Sequence, residues 1–268
     1  MLASFGVIGL GRMAQALLLP LIQAGLVDPS GVQAVVASRA SAERLTAEHG
    51  LAVGTDPRAA WMAPVVLLAV KPQQLEAVAA AAPAGHTGLL VSVLAGVPVA
   101  RLQRLFPGWR CVRAVPNTPS LVGQGLTGLS FAPEVTEADA ALVQQLFARV
   151  GEVHRLPEPQ LDAFLALTSS GPAFVALVAE AMADGAVAAG LPRLLAQHLA
   201  HRTLAGSAAL LQEQALHPGQ LKDMVSSPAG TTIAGLRQLE RAGLRSALLE
   251  AVLAAAERSR ELGADRAP

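Results

Sequence analysis

The stretch Gly6 to Ala16, reading Gly-Val-Ile-Gly-Leu-Gly-Arg-Met-Ala-Gln-Ala, constrains the fold of this chain more than any other. A short apolar run from Leu2 to Ile8 leads into it, and Ala14, Leu17, Leu18, Leu21 and Ile22 follow at helical spacing. The order is strand, glycine turn, helix. In that context Gly9-x-Gly11-x-x-Ala14 reads as a dinucleotide fingerprint, whereas the same spacing in isolation is equally a bare glycine turn. Gly9 allows a tight exit from the strand, Gly11 lets backbone approach a pyrophosphate, and Ala14 is small enough for helix and sheet to close. The helix start, through Arg12 and Met13, offers N–H groups and a positive dipole end to the phosphates.

The first half continues to alternate strand and helix. Gly31 to Arg39 reads as a second strand, with a short helix starting at Ser41. Where an NAD site carries an acid for the ribose 2′-hydroxyl, this chain has Ser38-Arg39, so a 2′-phosphate and NADPH are expected, with NADH as the alternative. Arg39 as a plain solvated loop residue is the competing reading. The unbroken apolar run Pro64 to Val70 has the length of a central parallel strand covered on both faces. Leu89 to Val93, Arg110 to Val115, Gly123 to Ala132 (a hairpin-type strand) and Gly151 to Leu156 are further strands, with a helix over Thr136 to Val150 capped by Thr136 and carrying Asp139 at its third position. Ligands lie beyond the carboxyl ends of such strands. Three ends are therefore assigned to the cofactor: Ala69-Val70-Lys71, Ala95-Gly96, and the turn at Asn117. Lys71 reads more simply as a carbonyl or phosphate contact than as a proton donor.

From Leu161 onward alanine and leucine dominate and no strand-like run recurs. Helices are expected over Leu161 to Leu167, Ala173 to Ala189, Pro192 to Leu211, Gln220 to Ser226, Ile233 to Arg241 and Ser246 to Leu262. Pro157 and Pro159 mark a boundary, so the expected domains are 1–157, nucleotide-binding, and 158–268, all-helical. Such an alanine-rich half has a modest core of its own, which points to a homodimer built through it. The alternative is a monomer whose helices pack on the nucleotide domain.

Composition removes other classes. The chain is 52% hydrophobic, yet no uninterrupted apolar stretch of about 18 residues stands out, and no basic region precedes an apolar one at the start, so neither a membrane span nor a secretory signal is expected. The single Cys111 fits a reducing cytoplasm. Net charge is zero and no basic stripe with interleaved aromatics appears, which argues against nucleic acid. Zinc-ligand spacing and a Ser/His/Asp order are missing, and so is tyrosine. His217, beside Pro-Gly, reads as a turn residue rather than a proton carrier.

Across nearly its whole length the chain resembles the pyrroline-5-carboxylate reductase family. The matching segments are Gly6 to Ala16, Ala69-Val70-Lys71-Pro72, Ala95-Gly96-Val97, Pro116-Asn117-Thr118-Pro119, Ser170-Gly171-Pro172-Ala173, Asp184-Gly185, Gly190-Leu191-Pro192-Arg193, His217 to Asp223, Ser226 to Ile233 and Glu257 to Leu262. The resemblance implies an α/β fold, a Rossmann-type nucleotide-binding domain followed by an all-α dimerisation domain. It implies hydride transfer from NAD(P)H to the C=N carbon of 1-pyrroline-5-carboxylate, giving L-proline, in an interlocked homodimer that assembles further in some members. It places the substrate carboxylate on Ser227 to Thr232, with Ser227, Gly230, Thr231 and Ser170 as substrate contacts and Thr232 near the ring nitrogen as the catalytic residue. No metal is implied. Other readings are a reductase of keto or hydroxy acids, which would need a proton donor such as Lys71, and a non-catalytic NADP(H) sensor. This chain departs from the family pattern at three places: Ser169 fills a usual glycine position, Phe174 a usual tyrosine, and Ala229 the first glycine of the substrate loop. If residue 229 needs positive φ, alanine is strained there.

Overall fold

The computed structural model describes residues 1–264. They form two compact units, residues 1–169 with 255 onward, and residues 170–254.

The first unit is built on β1 (Phe5–Ile8), α1 (Arg12–Gln23), β2 (Val32–Val35), α2 (Arg39–His49), β3 (Ala52–Gly54), α3 (Arg58–Trp61), β4 (Val65–Leu68), α4 (Leu75–Ala80), β5 (Leu89–Ser92), α5 (Val99–Leu105), β6 (Arg110–Val115), β7 (Gly125–Phe131), α6 (Glu137–Phe147), β8 (Gly151–Arg155) and α7 (Leu161–Thr168). The strands make one sheet in the order β3-β2-β1-β4-β5-β6-β7-β8. Pairing is parallel from β3 through to β6, antiparallel between β6 and β7, and parallel again to β8. β1, β4 and β5 are buried at every residue, as unbroken apolar runs in a sheet covered on both faces should be. One core cluster joins Val7, Leu18, Leu67 and Val143; the other joins Ile8, Trp61, Leu68 and Phe106. Chain order reverses at β1, whose neighbours are β2 and β4, which opens the crevice where such sheets take ligands.

The second unit holds α8 (Gly171–Ala188), α9 (Arg193–Glu213), α10 (Pro218–Met224), α11 (Thr231–Arg241) and most of α12 (Leu244–Ala264). Its buried cluster consists of Ala183, Ala196 and Ala200, with Ala186 and Val187 against them. Leu177, Leu194, Met224, Leu249 and Leu253 stand exposed. The small core expected of this half is therefore observed.

One expectation, the start of the second helix, is corrected, and two others gain detail. The compact unit does not end at residue 157: α7 packs on β7 and β6, and Asp162 of α7 is bound by Arg113 of β6 and Ser259 of α12. Helical composition alone conceals this, because α7 is a helix that belongs to the sheet. The second helix starts at Arg39 instead of Ser41, because Ser38 caps it. Residues Glu158–Ala188 do have the length and apolar composition of a membrane span. They are not one helix, however, since α7 ends at Thr168 and α8 starts at Gly171.

The cap of α6 matches its sequence signature. Thr136 Oγ1 accepts from Asp139 N–H (3.1 Å) and Asp139 Oδ2 accepts from Thr136 N–H (3.3 Å). Arg110 Nε donates to the same carboxylate at 2.8 Å. Burial acts to raise the Asp139 carboxyl, but the hydrogen bonds from Thr136 and Arg110 outweigh it and hold the group below its ordinary 3.8. A lowered folded-state value means the stabilisation is present above that ordinary value and is lost as pH falls through the folded one. Asp139→Ala is therefore expected to cost about 1–2 kcal/mol at neutral pH. The loss should shrink when thermal melts are repeated in increasingly acid buffer.

Candidate active site

The chain leaves β1 through Gly9, whose φ is +98°. A Cβ at this position would lie 2.8 Å from the Ala69 carbonyl oxygen. Gly9 and Leu10 N–H both donate to Val35 O, at 2.9 and 3.2 Å. The turn is thus held between β2 and β4. Gly11 opens α1, and nothing lies within 4 Å of where its Cβ would be. That open space is what a phosphate group needs beside backbone. The first helical bond is Gln15 N–H to Gly11 O (2.9 Å), so the N–H groups of Arg12, Met13 and Ala14 precede it. The first turn of α1 carries no acid. Ala14 is fully buried, closing helix on sheet.

These groups line a cleft of ≈ 720 Å³ that continues along Val35–Ala37, Ser41, Arg44, Thr55 and Ala69–Lys71. Its cationic side chains are Arg12, Arg44 and Lys71, and its lining holds no carboxylate. The size suits a large organic ligand. The glycine turn, the free helix N-terminus and the cations fit a dinucleotide with phosphates.

The structure sorts the remaining cofactor candidates. Ala69, Val70 and Lys71 lie in the cleft wall. Ala95 is exposed and Gly96 buried at the end of the neighbouring β5, Gly96 with φ +68°. Ser38 caps α2, its Oγ accepting from Ser41 N–H (3.3 Å) and donating to Ser41 Oγ (2.9 Å). Arg39 stands outside the cleft lining, 2.9 Å from Glu43 on the exposed face of α2. Arg44, paired with Glu48 at 2.8 Å, lines the cleft. Arg44 is hidden in the sequence by regular helix periodicity; its spacing from the β2 end, one further turn along α2, is the signal that points to it. The Asn117 side chain has both ends engaged within the fold: Nδ2 donates to Thr168 O (3.0 Å) and Oδ1 accepts from Leu126 N–H (2.8 Å).

In the helical unit, Ser170 occupies the position before α8 and makes no side-chain cap bond. The loop Ser227 to Gly230 turns tightly into α11. Gly230 N–H donates to Ser227 O at 3.0 Å, and a Cβ on Gly230 would fall 2.3 Å from Ser227 Oγ. Ala229 has φ +57°, so the strain foreseen for alanine is real. The first helical bond of α11 is Ala234 N–H to Gly230 O (3.2 Å). The N–H groups of Thr231, Thr232 and Ile233 therefore precede it, and no acid lies in the first turn. Such a helix start, with hydroxyls on Ser227, Thr231 and Thr232, has the chemistry to hold an anion. His217 caps α10, its Nδ1 accepting from Gly219 N–H (3.1 Å), which is the turn role expected of it. Burial pushes the Cys111 thiol up to about 12, with Glu134 adding to the rise, so it is a packed core thiol and not a nucleophile.

Comparison with known proteins follows the same division. Residues 158–262 match the family model described as pyrroline-5-carboxylate reductase dimerisation. Residues 4–96 match the model of NADP oxidoreductases described as coenzyme F420-dependent. The chain is 45% identical to a pyrroline-5-carboxylate reductase of Synechocystis over 96% of its own length and 97% of that protein's. It is 40% identical to one of Glycine max over 97% of its own length and 96% of that protein's. Among solved structures, the Coxiella burnetii pyrroline-5-carboxylate reductase superposes with a TM-score of 0.87 at 32% identity, covering 98% of this chain and 99% of that one. The Plasmodium falciparum pyrroline carboxylate reductase with NADP bound superposes with 0.87 at 27% identity, covering 97% and 98%.

Two substitutions test the turns. Gly9→Ala combines positive φ with a backbone clash, so it is expected to cost roughly 2–4 kcal/mol in chemical denaturation and to weaken NADPH binding in a fluorescence titration. Ala229→Gly releases about 1–2 kcal/mol of left-handed strain against about 0.5–1 kcal/mol of added chain entropy. A small rise in the melting temperature is expected.

Proposed function

The chain belongs to the pyrroline-5-carboxylate reductase family, and on that premise we propose how its own residues carry the family's reaction. The chain is an oxidoreductase of proline biosynthesis that reduces 1-pyrroline-5-carboxylate to L-proline. When bound, NAD(P)H supplies the hydride that goes to the C=N carbon, and the ring nitrogen keeps a proton. The helical unit, which matches the dimerisation model, forms the homodimer.

The observation that most supports our residue assignment is the glycine-entered helix start in each unit, Gly11 before α1 and Gly230 before α11, each without an acid in its first turn. In the first, Gly9, Gly11 and the N–H groups of Arg12, Met13 and Ala14 hold the pyrophosphate, with Ala69, Val70, Lys71 and the Ala95-Gly96 loop along the rest of the nucleotide. We assign the 2′-phosphate to the β2–α2 junction, where Arg44 lines the cleft and Ser38-Arg39 begin the helix. For Asn117 we propose contact through backbone only, since its amide is engaged elsewhere. In the second, the N–H groups of Thr231, Thr232 and Ile233 hold the substrate carboxylate, with Ser227, Gly230 and Ser170 completing the pocket. The Thr232 hydroxyl is the hydrogen-bond partner of the ring nitrogen and keeps its proton in place. A protonated cyclic imine is already a good hydride acceptor, so orientation and charge placement suffice without a strong acid. We place the reaction in the cytoplasm, in keeping with one buried thiol and a nicotinamide substrate. The homodimer is the proposed working unit; sedimentation separates it from a larger assembly of dimers.

Purified protein is expected to oxidise NADPH when given 1-pyrroline-5-carboxylate and to release proline; folded dimer without turnover would overturn the reading. Thr232→Val should lower kcat by about 10²-fold with NADPH affinity unchanged. Arg44→Ala should raise the KM for NADPH about tenfold, or about 1.4 kcal/mol, and leave that for NADH within about twofold.

A further inference from the structure

The loop Leu94–Pro98 leaves the carboxyl end of β5, beside the β4 end that lines the nucleotide cleft. It is fixed on two sides, and both fixings run back to one buried cation. Arg113 lies on β6 opposite Ser92 of β5 and is 4% exposed. Its Nη1 is 3.3 Å from Glu158 Oε1, and its Nη2 is 3.2 Å from Asp162 Oδ1. Glu158 Oε1 also accepts from the N–H of Val99 at 2.7 Å. Val99 is the first residue of α5, and the residue before it is Pro98, whose side chain offers no cap. A carboxylate 59 residues further along the chain therefore caps the helix that ends the loop. Asp162 Oδ1 accepts from Ser259 Oγ at 2.7 Å, and Ser259 is 4% exposed. One turn beyond Ser259, Leu262 covers the loop itself: a Cβ on Gly96 would lie 3.0 Å from Leu262 Cβ.

We propose that Arg113 is a positioning residue for the cofactor loop, acting through Glu158 on its exit and through Asp162 and Ser259 on the turn of α12 that covers Gly96. The proposal rests on the reading that Ala95-Gly96 contact the nicotinamide nucleotide. The network is a costly way to fill a core. Arg113 Nε is buried without a hydrogen-bond partner among the described residues, and a buried ion pair commonly adds no more stability than well-packed apolar residues of its volume. What it does add is direction. Two carboxylates from one chain segment, 158–162, are held at fixed separation by the fork of one guanidinium. Each then holds a different side of the same loop. The sequence blocks Pro157 to Asp162 and Glu257 to Leu262, remote from the fingerprint, thereby become part of the nucleotide site's support.

The test uses the full-length dimer. Glu158→Ala, Glu158→Gln, Ser259→Ala and Ser259→Thr are compared with the parent by NADPH titration, by amide hydrogen exchange of the apoprotein over 95–100, and by separate KM values for the two substrates. Glu158→Ala and Ser259→Ala should each weaken NADPH binding about tenfold. Exchange of the Val99 amide should rise in Glu158→Ala, and the KM for 1-pyrroline-5-carboxylate should stay within about twofold of the parent value. Glu158→Gln keeps an acceptor for Val99 and Ser259→Thr keeps the hydroxyl, so both should restore NADPH binding to within about threefold of the parent. NADPH affinity unmoved in the alanine variants, or both KM values rising together with a lowered melting temperature, would overturn the proposal. Binding is measured without turnover, so a parent protein that binds NADPH but reduces no imine would count against the family reaction and leave this inference to be decided by the variants.

Discussion

The exit from β1 is the constraint on which the nucleotide unit depends. Gly9 turns with positive φ against the Ala69 carbonyl while its N–H is taken by Val35 O. The turn therefore touches both neighbouring strands at the point where chain order reverses. A side chain here would push β4 away from β1, and β4 is the strand that brings Ala69, Val70 and Lys71 to the cleft. The same turn brings Gly11 and Arg12, at the start of α1, to the cleft. Sheet continuity and the start of α1 are one piece of geometry, so a change at residue 9 is expected to act on both stability and nucleotide binding.

The helical unit obeys a different constraint. Its buried cluster is made of alanines, and its leucines, Leu177, Leu194, Leu249 and Leu253 among them, point outward. Alanines let α8 and α9 approach closely but supply little transfer free energy. Chains with this pattern must bury the outward leucines on something else. The match of 158–262 to a dimerisation model agrees with that requirement. The apolar length of 158–188, which by composition alone resembles a membrane span, is divided between α7, packed on the sheet, and α8, with exposed Val175 and Leu177.

Much of this was legible in the residues. The strand–glycine–helix order, the apolar run that became β4, the capping box of Thr136 and Asp139, and the turn role of His217 all follow from local rules, and each is observed. What was missed depends on partners distant in the chain. β3 is three residues long on the sheet edge, too short for periodicity to show. Arg113 read as one residue of an ordinary strand; its meaning appears only when Glu158 and Asp162 are seen against it. The same pairing moved α7 from the helical half into the sheet unit. Ser38 looked like a phosphate ligand because it ends a strand, yet its hydroxyl first satisfies Ser41 N–H, the requirement of any helix start. Arg44, one turn further on, was hidden by regular helix periodicity.

The departures at 169 and 229 show how such a site tolerates change. Ser169 fills a position where the resemblance leads one to expect glycine, and its Oγ donates to Pro116 O at 3.2 Å. The added hydroxyl thus meets an acceptor beside Asn117, whose amide already bonds the neighbouring Thr168 carbonyl. The junction between the β6 end and the α7 end gains a bond instead of burying an unpaired group. At Ala229 the φ of +57° costs energy. The loop is closed by Gly230 N–H on Ser227 O, and a Cβ at 230 would require the Ser227 hydroxyl to turn away. Residue 229 adapts to a turn set by 227 and 230, and those two residues shape the approach to the N–H groups of Thr231, Thr232 and Ile233. Substitution at 229 costs backbone strain, whereas at 230 it would displace the Ser227 hydroxyl from the start of α11.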